Sequence, residues 1–389
     1  MAGELDRFLE RGRVRRGRDY GRLLEDISRR RRELAEDVIN VYRRVSPVRN
    51  PVLRRVLEVV AERKREVKPE HPDPEVTFGV DGGEGMREYQ GVVLYVTRAA
   101  AWSEADVFSS WDFGVLSRTR TPQMRVAARR VKLESDVATR AVERGGEVVM
   151  LDGPIVPHHD LKGANEDSPN RRDYWGRILD ARRAMLEVCE EEDAVVMGVV
   201  EDCKAKHLLR DVRDELGEDL PLKALPNDPV ALSRELDGGP VLEVGERTHA
   251  FELPDGDYQV VREFEEATGY SVFTFYVRTT KYSPPVRVEI PEFVDPDEAA
   301  GVVLGTSIEY GGYGIPFPLV MADEFAKVGR SLVDWIEEEV LTELALDGRF
   351  DVIFTVFRKL RRESRPRRRS SAEAEREIHV RHGGEDGGS

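Results

Sequence analysis

Phe78-Gly79-Val80-Asp81-Gly82-Gly83 and Val148-Val149-Met150-Leu151-Asp152-Gly153 are the two stretches that decide how this chain reads. Each is a short apolar run that meets an Asp and then glycine. The pattern predicts a buried strand with a carboxylate at its end and a backbone free to turn beyond it. Two such ends side by side bring two carboxylates together, and like charges at close range are unfavourable unless a cation lies between them. Oxygen-only ligands suit Mg²⁺ or Mn²⁺. The competing reading is turn punctuation, in which each Asp bonds nearby backbone N–H groups.

Working outward, Val76 to Asp81 predicts a strand, Gly82 to Gly85 its turn and Gly91 to Thr97 the returning strand, with Ala99 to Trp102 prolonging the sheet. Helical periodicity follows Pro122 to about Arg144 and stops at Gly145-Gly146. Glu134 lies inside that helix. Glu147 to Asp152 reads as the next strand, Asp173 to Glu191 as a helix, and Ala194 to Val200 as a third, Val-rich strand. Strands alternating with helices mean an α/β layered domain. Residues 1–72 read as a helical arm, basic at Arg29 to Arg32, that ends in the linker-like Pro69 to Pro74. The core is expected over residues 73–346, with an irregular insertion at about 210–270 and paired strands at Val272–Arg278 and Val286–Ile290. Residues 310–330 predict a loop entering a helix that reaches about Leu346. Residues 347–389 read as a C-terminal extension with a basic, disordered tail.

The bulk numbers exclude several classes. A chain of 389 residues suffices for a large core with additions. Lys+Arg 60 against Asp+Glu 75 gives a net charge of −15, which argues against a protein that passively coats DNA but not against an enzyme with a basic channel. The two cysteines cannot form a four-thiolate zinc site. No G-x-x-x-x-G-K-[ST] occurs, so ATP-driven work belongs to a partner. The start, MAGELDRFLERGRVRR, lacks a signal-peptide apolar segment, and no run approaches the roughly 20 apolar residues of a membrane span. The expectation is a cytoplasmic protein without a membrane partner.

Asp81, Glu134 and Asp152 form the candidate triad: two strand acids and one helix acid between them in sequence. Carboxylates of this kind hold the divalent ion that phosphodiester hydrolysis uses to line up water and stabilise the leaving oxygen. His158 and His159 are candidate metal or phosphate contacts. Trp102, Trp111 and Tyr89 are candidates for stacking on unpaired bases or for the core. Arg118, Arg120, Arg125, Arg129 and Arg130 gather at the start of the long helix, either as phosphate contacts or as a solvated face.

Taken in order, FGVDGG, the helical Leu133-Glu134, VVMLDGPI, VVMGVVEDCKAK and PFPLVMADEFA resemble the NurA family of archaeal nucleases over most of residues 76–330. The resemblance implies an RNase H-like fold: a mixed central sheet flanked by helices. It implies Mn²⁺-dependent (alternatively Mg²⁺-dependent) 5′-to-3′ degradation of DNA, a homodimer, and work beside the hexameric HerA-type ring ATPase on broken ends. By match of motif, Asp81, Glu134 and Asp152 inherit the metal-ligand role. Lys204 falls near a family lysine that would offset charge on the scissile phosphate, with Lys206 competing for that register. The C-terminal motif departs from the family. The Tyr before P-x-P-L is here Ile315, and the His of the A-H pair is Asp323. Tyr313 is the candidate substitute for the first. Asp323 is a candidate fourth metal ligand, a carboxylate being harder than imidazole. Two rivals stand beside the nuclease. One is a catalytically weakened scaffold that docks the motor and DNA. The other is an actin-like nucleotide hydrolase, which needs a phosphate-binding Gly turn in a repeated half that this chain does not show.

Overall fold

Thr77–Glu88 is one unbroken strand, β1, running straight through Gly79, Asp81, Gly82 and Gly83. The turn expected at Gly82–Gly85 lies instead past Glu88, where Tyr89 N donates to Val92 O at 2.8 Å and β2 (Val92–Trp102) returns antiparallel. These glycines provide clearance rather than a bend. A Cβ on Gly79 would overlap the Pro318 carbonyl, and one on Gly83 the Ala326 carbonyl. Both carbonyls belong to a helix, Phe317–Ala326, that lies along the strand. On the alternate face, a Cβ on Gly82 would overlap the Glu134 carboxylate. The second motif behaves as the sequence predicts: its strand ends at Asp152, and Gly153 turns at φ +114.

The computed structural model describes residues 50–358 apart from 119–120, 167–172, 202, 219–220, 222–224, 237 and 256–258, and in addition residues 29–33, 35–36 and 39. Most of the basic arm expected over residues 1–72, and residues 359–389 of the C-terminal extension expected over 347–389, fall outside the described residues. The chain divides into two units. The second comprises Pro72–Gly198, Asp255–Ser271 and Phe317–Ser389; the first comprises Met1–His71, Val199–Pro254 and Val272–Pro316.

In the second unit β1 and β2 are followed by β3 (Val107–Ser117), β4 (Val148–Asp152) and the start of β5 (Val195–Val200). Their order is β3-β2-β1-β4-β5, with β1, β2 and β3 mutually antiparallel and β4 parallel to β1. This is the mixed sheet that the sequence reading anticipates. Helix α1 (Pro122–Glu143) starts on a proline, whose missing N–H is harmless in a first turn. It lays Val126, Val131, Val137 and Ala141 across β1 and β2. Gly145, at φ +90, stops it. Helix α2 (Tyr174–Glu191) packs on α1 and is capped by Asp173, which accepts from Gly176 N at 2.8 Å. The single helix expected to run to Leu346 is two, α3 (Phe317–Ala326) and α4 (Arg330–Leu346), separated at Gly329.

In the first unit the expected strand pair forms with Val272↔Pro291 to Val277↔Val286 in antiparallel register. The helix Pro51–Arg63 buries Leu53, Val56, Leu57 and Val60 with Leu208, Leu209, Val212 and Tyr276. Asp228, fully buried, accepts from Leu208 N at 3.0 Å, Leu209 N at 3.2 Å and the Tyr276 hydroxyl at 2.7 Å. Part of the loop expected over residues 310–330 is a hairpin: Ser307–Tyr310 pairs with Tyr313–Pro316 across Gly311 and Gly312, both at positive φ. Among the described residues no helix is long and apolar enough to cross a membrane.

Gly79→Ala should destabilise the protein by about 1–3 kcal/mol, because the new methyl meets helix backbone that cannot rotate away. Gly329→Ala, whose Cβ would meet only Ser331 Oγ at 3.5 Å, is the control and should shift the melting temperature far less.

Candidate metal centre

Parallel pairing of β1 with β4 runs from Thr77↔Val148 to Val80↔Leu151. Asp81 and Asp152 are the next residue on each strand, so the two acids stand at matching positions on strands roughly 4.8 Å apart. Glu134 arrives from α1. Both inner carboxylates touch one residue: Gly82 N donates to Asp81 Oδ1 at 2.6 Å, and Glu134 Oε1 occupies the space a Gly82 side chain would need. Asp81 is 7% exposed and Glu134 5%, while Asp152 is half-buried.

This crowding has an electrostatic signature. Burial pushes the Asp81 pKa up to about 8, and the neighbouring Asp152 and then Glu134 push in the same direction; the Gly82 N–H and Arg130 oppose them. Arg130, one turn before Glu134, places Nη1 2.5 Å from Glu134 Oε1 and 3.3 Å from Gly82 O, with Nε 3.5 Å from Glu84. Its pKa is raised, first by Glu134 and further by Glu84, Asp81 and Asp152, against burial. One guanidinium therefore serves four carboxylates. These residues fit a divalent ion. The donors are all oxygen, burial and then their mutual repulsion hold the Asp81 carboxyl well above the usual carboxylate range, and the Arg130 guanidinium stands among them where more positive charge is favourable.

Glu134, Asp152, Glu84 and Arg130 line a cleft of about 350 Å³, together with His158, Asp160 and Arg182. Asp81 is not part of its wall. Glu84 is the acid that the sequence reading misses. Its signal was the unbroken strand, since residues 82 and 84 share a face once the turn is removed.

The other candidates lie on other elements. Asp323, on α3, pairs with Lys327 at 3.0 Å. Lys204 and Tyr313 belong to the first unit, Lys204 exposed in the segment after β5 and Tyr313 half-buried in its hairpin. Of the arginines, Arg125 is buried against Ser117 O and the Tyr174 ring, Arg129 pairs with Asp112 at 2.6 Å, Arg118 lies 3.9 Å from Glu88, and Arg120 is outside the described residues. Among the described arginines of this group, Arg130 is the one in the cleft wall. Tyr89 is fully buried against Phe357, which removes it as a base-stacking platform. Trp102 packs edge-to-face on Phe317, and Trp111 is 44% exposed beneath the Arg98 guanidinium.

The raised Asp81 pKa fixes a sign. The native state keeps this proton between about pH 4, where the unfolded chain loses it, and about pH 8. Stability therefore falls as pH rises through that window and levels off above it. Asp81→Asn removes the titration. Melting temperatures of chelator-treated protein from pH 5 to 9 should decline less steeply for the variant than for the wild type; parallel curves would contradict the assignment.

Residues 75–328 match the NurA domain family model. The fold is similar to the crystal structure of the NurA nuclease from Sulfolobus solfataricus, at 18% identity and a TM-score of 0.52 over 81% of this chain and 98% of that one. A second NurA crystal structure aligns at 12% identity and a TM-score of 0.50, over 82% of this chain and 97% of that one. No curated protein matches in sequence. The structural likeness speaks to the fold, and the family model spans both glycine motifs, the long helix and α3: the chain belongs to the NurA family.

Proposed function

We propose that this protein is a divalent-metal-dependent DNA nuclease. We read it as a 5′-to-3′ exonuclease, with single-strand endonuclease activity beside it, that works as a homodimer with a HerA-type ATPase in end resection and double-strand break repair. The observation that carries the metal-dependent step is the crowding of carboxylates around Gly82, with the Arg130 guanidinium set among them. Family membership and the nuclease named among its fold relatives support the reaction class.

Asp81, Glu134 and Asp152 would hold the ion, Mn²⁺ or Mg²⁺, with Asp323 as a further ligand once released from Lys327. A bound ion would supply Lewis acidity to water and to the leaving oxygen. The chain's own residues do the rest. Gly82 admits the Glu134 carboxylate, Gly79 and Gly83 seat α3 against β1, and Glu134 and Asp152 line the cleft. Arg130, beside Glu134 and Glu84, would offset their charge wherever the ion is absent. A scaffold role is the second reading, favoured by the ion pairs that engage Asp323 and Glu134.

Asp81→Ala should reduce Mn²⁺-supported degradation of end-labelled single-stranded DNA on the order of 100-fold or more. Undiminished degradation would assign the chemistry elsewhere. Arg130→Met removes the resident cation, and calorimetry should then show Mn²⁺ binding about tenfold tighter than in the wild type. Unchanged or weaker binding would mean that Arg130 does not compete with the ion.

A further inference from the structure

We propose that His158, His159 and Asp160 form a second divalent-metal site, a two-imidazole, one-carboxylate centre on the wall of the same cleft and separate from the acid cluster. It does not depend on the nuclease reading. One ligand atom from each residue lies within 4.8 Å of the others. His158 Nδ1 is 3.2 Å from Asp160 Oδ2, and His159 Nε2 is 3.1 Å from Asp160 Oδ1. Donors bound at roughly 2.1 Å and at right angles around one ion are about 3.0 Å apart, so little movement separates this arrangement from a coordinated one. The two imidazole rings stand 4.2 Å apart, and His158 Nδ1 accepts from Asp160 N–H at 3.3 Å, a bond its lone pair would exchange for the ion. The adjacent cation, Lys162, pairs with Glu263 at 2.8 Å.

The donor set selects the ion. Two imidazoles favour Co²⁺, Ni²⁺ or Zn²⁺ over Mg²⁺, Ca²⁺ and Mn²⁺, which take oxygen. It therefore differs in chemistry from the carboxylates around Gly82. Three protein ligands leave coordination positions open. His158 and Asp160 line the cleft that Glu134 and Asp152 also line, so those positions face the space where a phosphate oxygen of a bound strand would lie. The site is suited to anchoring a phosphate beside the acid cluster.

Full-length protein titrated with Co²⁺ in excess Mg²⁺, followed by visible absorption and calorimetry, tests this. The proposal expects one site that saturates at micromolar Co²⁺, survives in Asp81→Ala, and weakens at least tenfold in His158→Ala/His159→Ala and in Asp160→Asn. All three residues are partly exposed, so these variants should melt with the wild type. Equal Co²⁺ uptake by wild type and the histidine variant, or saturation only at millimolar Co²⁺, would overturn it. Loss of the site in Asp81→Ala would also overturn it, by assigning the ion to the acid cluster. Failure of Asp81→Ala to reduce nuclease activity would count against the nuclease reading alone.

Discussion

The structure depends on a close approach at one glycine. Gly82 has no side chain, and the Glu134 carboxylate of α1 takes the space a methyl would fill while the Gly82 amide holds Asp81. With that contact go the closeness of Glu134 to Asp81, the Arg130 guanidinium beside Glu134 and the position of α1 across β1 and β2. Buried acids gathered this way are a poor bargain for stability alone, because each loses hydration that repulsion does not return. A fold that keeps them gains an environment in which added positive charge is strongly favoured.

The same strand is sandwiched from its other face. Gly79 and Gly83 let α3 lie against the β1 backbone at both ends of the helix. Three glycines in five residues would weaken an isolated strand. Here the helices that they admit on both faces replace the missing side-chain contacts, and β1 stays continuous over Thr77–Glu88.

Much of this was legible in the residues. Asp152-Gly153 ends a strand as its motif predicts, α1 runs between its proline and its glycines, and the parallel register sets Asp152 beside Asp81. What was not legible needed partners distant in sequence. Gly82–Gly85 reads as a turn until α1 and α3 are seen to require its bareness, and with that reading Glu84 is placed on a loop and overlooked. Arg130 was one of five neighbouring arginines, and only its spacing of four from Glu134 distinguished it. Strand β3 went unread because Trp111, Phe113 and Val115 alternate outward and leave little apolar signal on the buried face. The resemblance to NurA came from the order of the motifs, and the family model spans the same stretch.

The central claim is that the acids around Gly82 share a divalent ion. Anomalous scattering from crystals grown with Mn²⁺ tests it most directly. The account predicts a peak bounded by the carboxylates of Asp81, Glu134 and Asp152, with the Arg130 guanidinium displaced from Glu134. Mn²⁺ confined to other places, with Arg130 still bound to Glu134, would contradict it.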